Sequence, residues 1–133
     1  MKTLMISMLM GVGLAACTNM PDVTRTGKVT NVIVRDDITP KDVTVSAGDE
    51  VRWINQRTGA IRVEFIDPIA NRITCNNGFN RFMGMGQDQT ANLGPDGTAS
   101  LCFSQKGAKR YVVRMDSTTP GGETNVSGSV KVE

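Results

Sequence analysis

An all-β fold, a Greek-key sandwich or barrel, is what this sequence predicts. Short apolar runs alternate with a period of two, Gly, Pro, Asn and Asp separate them, and no window sustains a helical period. Residues 28–35 (KVTNVIVR) open the series with the valine and isoleucine that suit a pleated surface. Asp42 to Val45 alternates polar and apolar, and Ala47-Gly48-Asp49 is a turn signal. Residues 50–55 (EVRWIN) put Val51 and Trp53 on one face and Arg52 on the other, which makes Trp53 a core anchor. Residues 60–66 set Ile61, Val63 and Phe65 against Arg62 and Glu64. Gly94-Pro95-Asp96-Gly97 is turn chemistry, and residues 98–104 group Ala99, Leu101 and Phe103. Residues 109–115 and 127–132 complete the set. The stretch 67–95 is long, polar and weakly patterned, and a loop or short helix is expected there.

The N-terminus has a different character. Lys2 precedes an apolar run broken only by Ser7, Gly11 and Gly13, and the run ends at Leu14-Ala15-Ala16-Cys17. It is too short for a permanent membrane span, which takes about 20 residues. Its flanks are those of an export signal. The Leu-Ala-Ala-Cys ending resembles the lipobox of bacterial lipoproteins, in which cleavage leaves an N-terminal cysteine that carries fatty acid such as palmitate. The resemblance implies a signal peptide over 1–16, lipidation at Cys17, a polar tether over 17–27 and one domain over 28–133. It also implies a cell-envelope location with the membrane as a partner. Thr18 stands where an inner-membrane retention aspartate would be, which favours the outer membrane.

Composition excludes several function classes. A formal charge of +2, spread along the chain, gives no electrostatic case for nucleic acid. Histidine is absent, so the commonest general base and metal ligand is missing. Serine and threonine nucleophiles have no evident activating partner, and an enzyme is not expected. Asp36-Asp37 is expected to face solvent before a turn, and Glu64 and Asp67 lack a second acid at useful spacing. Arg110 and Arg114 form a solvated face that an acidic partner could use. With Cys17 lipidated, Cys75 and Cys102 remain in a compartment that permits disulfides, and a bridge between them is expected. The alternative, two thiols on a metal, leaves a zinc site short of its usual four ligands.

The run from Ile38 to Asn55 carries a second resemblance. Ile38-Thr39-Pro40, then Asp42-Val43-Thr44-Val45, the Ala47-Gly48-Asp49 turn and Val51-Arg52-Trp53-Ile54-Asn55 look like the opening of cupredoxins, the small blue copper proteins. Residues 97–103, 107–113 and 128–132 resemble that family's closing strands. The likeness implies a cupredoxin-like β-sandwich. Blue copper needs two imidazoles, a thiolate and a weak axial thioether. Aligned on the strands, Ile61 stands at the first histidine position, Val113 at the cysteine and Val126 near the axial methionine. The resemblance therefore implies the fold without the family's electron transfer, and no cofactor is expected.

The expected role is a metal-free, lipid-anchored binding or accessory module that holds an envelope protein or surface component near the membrane. The alternative is a Cu(I)-handling lipoprotein using the thioethers of Met83 and Met85 in Arg81-Phe82-Met83-Gly84-Met85-Gly86, with Met115 brought near by folding.

Overall fold

Side-chain alternation sorts this chain into two sheets around one core. The computed structural model describes residues 24–70, 72–82, 85–116 and 121–133, with the backbone alone for 81, 82 and 85–88. The described residues form strands and no helix. One sheet contains β1 (Val29–Val34), β2 (Ile38–Thr39), β4 (Glu50–Asn55), β6 (Ile73–Asn77) and β9 (Thr98–Phe103), in the order β2-β1-β4-β9-β6. The other contains β3 (Asp42–Val45), β5 (Ile61–Phe65), β7 (Asn80–Phe82), β8 (Met85–Leu93), β10 (Gly107–Asp116) and β11 (Glu123–Val132), in the order β3-β11-β10-β5-β8-β7. Among these, only β1–β2, β7–β8 and β10–β11 are consecutive strands that pair. The other connections pass from one sheet to the other. Both sheets are mixed, since β1 runs parallel to β4 and β3 parallel to β11.

The expected alternation is observed where the sheets face each other. Val51 and Trp53, Ile61, Val63 and Phe65, and Tyr111, Val113 and Met115 are all buried. Trp53 is 0% exposed and meets Phe65, Phe79 and Tyr111 edge-on at centroid separations of 5.7, 5.4 and 5.4 Å. Edge-on contact sets positive ring edges against negative faces. Each fully buried side chain of this size contributes about 1.5–3 kcal/mol relative to exposure, so this aromatic knot anchors the core.

The expectation of a loop or short helix over 67–95 is corrected: β6, β7 and β8 occupy most of it. These strands lie at sheet margins. β6 is an edge of the first sheet and β7 an edge of the second, while β8 joins β5 only through residues 90–93. A marginal strand has little apolar surface to bury, so its sequence need not alternate. Cys75 on β6 stands opposite Cys102 on β9 and is bonded to it, as expected, which fastens that edge to the sheet.

Candidate functional site

The site begins at Asn55, the last residue of β4, which is 0% exposed. A buried amide must find partners or lose the hydrogen bonds that water gave it. Asn55 Nδ2 donates to the carbonyls of Gly59 (2.9 Å), Gly94 (2.9 Å) and Leu93 (3.2 Å), and its Oδ1 accepts from the Arg57 N–H at 2.9 Å. One side chain thus fixes the connections β4–β5 and β8–β9. Arg57 extends the tie, donating to the carbonyls of Arg35 (3.0 Å) and Asp116 (3.0 Å). The turn 94–97 closes through the Gly97 N–H on the Gly94 carbonyl at 2.9 Å. Asn55 was part of the sequence motif, but its neighbours in space could not be read from spacing.

An open cleft of about 190 Å³ lies beside this framework, lined by Ile61, Arg62, Asn92, Arg114, Met115 and Glu123 among others. The three positions aligned with copper ligands are on adjacent strands here. Val113 stands opposite Val63 on one side and Val126 on the other, and Ile61 stands opposite Met115. Ile61 is 3% and Val113 0% exposed, while Val126 packs half-buried against the core. These hydrocarbon side chains offer no lone pair to a metal. Among the described residues no three Cys, Asp or Glu side chains gather as a possible metal site. The residues present do not fit a blue copper centre.

Glu64 and Asp67 are committed to arginines of this chain. Glu64 Oε2 accepts from Arg114 Nε at 3.0 Å, and Glu123 lies 3.4 Å from Arg114 Nη1. Asp67 accepts from Arg110 through Nε (3.0 Å), Nη2 (2.9 Å) and the backbone N–H (2.8 Å), which holds its carboxyl well below the usual range. The expected solvated face of Arg110 and Arg114 is therefore paired within the molecule. Asp36 is exposed, and Asp37 caps the Ile38 N–H at 2.8 Å and pairs with Lys41 at 3.2 Å.

Two buried polar groups escaped the sequence reading. Asp49, 1% exposed, accepts from the Thr26 hydroxyl and, at 3.0 Å, from the Ser46 N–H. These bonds lower its pKa, the Thr26 hydroxyl contributing most. Tyr111 donates to the Lys41 carbonyl at 3.1 Å, and burial pushes its phenol up to about 12. The Trp53 N–H is buried and, among the described residues, has no acceptor in hydrogen-bonding geometry. Cys17 and Met83 lie outside the described residues, and Met85 is described only as a backbone position opposite Phe82. Met115 is a core residue, 1% exposed.

No family model matches this chain, and no curated relative does. Solved structures do resemble it. A reduced proline-to-phenylalanine variant of amicyanin matches with a TM-score of 0.51 and 20% identity, covering 80% of this chain and 83% of that one. An oxidised proline-to-glycine variant of amicyanin matches at 0.52 and 20%, covering 87% and 88%. A methionine-to-glutamine variant of amicyanin in its Cu(I) form matches at 0.51 and 19%, covering 79% and 82%. At this level the likeness concerns the backbone, and the chain has a cupredoxin-like β-sandwich fold.

Proposed function

We propose that this protein is a lipid-anchored, metal-free binding module of the bacterial cell envelope, whose sandwich presents end loops to an envelope protein or surface component. The observation that carries the reading is the apolar packing of Ile61, Val113 and Val126 on three neighbouring strands of a cupredoxin-like fold. A resident metal would need donors there, and hydrocarbon supplies none. Binding is favoured over catalysis because Glu64 and Asp67 are occupied by arginines, and Asp49 and Asn55 by backbone groups. The anchor rests on the Leu14-Ala15-Ala16-Cys17 run.

Copper titration, read by visible absorption and paramagnetic resonance, tests the metal-free reading. No stoichiometric Cu(II) and no intense blue band are expected. A tight, strongly coloured complex would overturn it. Tight Cu(I) binding that disappears in Met83→Leu/Met85→Leu would move the protein to the thioether alternative. For the anchor, labelled fatty acid should enter the wild type but not Cys17→Ser, which should leave the membrane fraction. Membrane association without label in either form would defeat the lipid reading.

A further inference from the structure

The end of the sandwich remote from the cleft is defined by its backbone bonds. The Gly48 N–H donates to the Phe103 carbonyl, the Thr26 N–H to that of Gly48, the Glu50 N–H to that of Lys28 and the Ser104 N–H to that of Arg72. Gly107 stands opposite Val132, and the Glu133 N–H donates to the Val45 carbonyl. Residues 25–28, 46–50, 104–109 and 131–133 therefore share one end, together with Arg72. Thr26 is held there by Asp49, and Arg25 lies 3.6 Å from Glu50.

This end is basic. Lys28 and Lys106 are exposed, Arg72 and Lys109 half-buried, and none of the four forms an ion pair among the described residues. The nearby acids are already engaged: Asp49 is buried, Glu50 is held by Ser100 and Arg52, Asp67 by Arg110, and Glu133 by Lys131 at 3.2 Å. At the cleft end Asp96 and Asp116 are exposed, while Arg57 pairs with Asp36 and Arg114 with Glu64 and Glu123.

We infer that the Thr26 end is a docking face for anionic lipid headgroups, with Lys28, Arg72, Lys106 and Lys109 supplying a second membrane signal beside the acyl chains on Cys17. The orientation rests on the anchor reading. From Cys17 to Thr26 the chain can span about 30 Å at full extension. That is roughly the length of a ten-residue strand such as β10. The pinned end can therefore lie against the bilayer, with the cleft at the opposite end of the sandwich. Attraction between a basic patch and anionic headgroups extends about one Debye length, near 8 Å at physiological salt. A tether that brings the patch to the surface lets it act there, and an acyl chain combined with basic residues is a known route to stable attachment.

The test uses the full chain carrying Cys17→Ser, so that no acyl chain contributes. Sedimentation compares vesicles of phosphatidylcholine alone with vesicles of phosphatidylcholine and phosphatidylglycerol in equal parts. The readout is the ratio of partition into anionic over neutral vesicles, in which the shared N-terminal segment cancels between variants. Lys28→Gln/Lys106→Gln should lower that ratio roughly twentyfold, whereas Arg35→Gln/Lys41→Gln at the cleft end should change it less than about twofold. Raising the salt should abolish the preference in the unsubstituted basic face, a measurement that does not depend on any lysine variant folding. Equal losses in the two double variants would overturn the proposal, as would no preference for anionic vesicles. Capture by an anionic polysaccharide without a preference between vesicles would give the face to a glycan and also overturn it. Failure of fatty acid to label Cys17 in cells would instead defeat the anchor reading, and the two results are read separately.

Discussion

Gly128 shows how much one residue can control. It stands opposite Tyr111, and a Cβ there would collide with the Lys41 carbonyl oxygen and lie 2.6 Å from Tyr111 Cζ and Oη. The phenol thus occupies the space that any other side chain would need. Gly128→Ala should cost about 3 kcal/mol in denaturant unfolding, the upper part of the overpacking range. Tyr111→Phe removes only the bond to Lys41 and should cost about 1 kcal/mol. Asp49 makes a separate prediction about acid. Its folded pKa lies below the ordinary 3.8, so its stabilising effect is fully present above that value and is lost as pH falls through the lower folded one. Stability should therefore decline below about pH 4. Asp49→Asn should be less stable at neutral pH and show a shallower acid decline in denaturant unfolding against pH. A slope unchanged by the substitution would remove Asp49 from the explanation.

Strands differ in how plainly they are written. β3, β4 and β5 were legible because each pairs a buried apolar face with a more exposed one, and residues such as Val51, Trp53, Ile61 and Val63 recur every second position. β9 was legible from the spacing of Ala99, Leu101 and Phe103, although beyond Thr98 it is buried on both faces. β6 (ITCNN) and β8 (MGQDQTANL) were not, since pairing at a margin holds them more than burial does. The one local trace of β8 was Ala91 and Leu93 buried on either side of exposed Asn92. Likewise the apolar nature of Ile61 and Val113 was visible in the sequence, whereas the cross-strand placement that makes them neighbours came only from register. The bridge Cys75–Cys102 is the main restraint on β6 besides its ladder with β9. Removing it by Cys75→Ser/Cys102→Ser should cost roughly 3–4 kcal/mol in the chain-entropy model. Hydrogen exchange should rise most in Ile73–Asn77, and uniform acceleration across both sheets would show that the bridge does not act on that edge.

At the scale of the molecule, most pairings join strands distant in sequence. β-sandwiches of this kind refold in milliseconds to seconds because loop closure precedes the reward of contact. Stopped-flow refolding should fall in that range, and a microsecond phase carrying the full amplitude would contradict it. The placement of β3 has a further consequence. Among the described residues its sole neighbour in the sheet is β11, and Ser129 bonds Asp42 across a separation of 87 residues. During vectorial synthesis β3 is therefore made early and stays an orphan until Ser129–Val132 have followed. Until then the second sheet lacks the strand on which β3 lies. A chain ending at residue 122 should accordingly remain protease-sensitive, whereas one carrying Glu123–Val132 should become resistant as soon as that segment is free to pair.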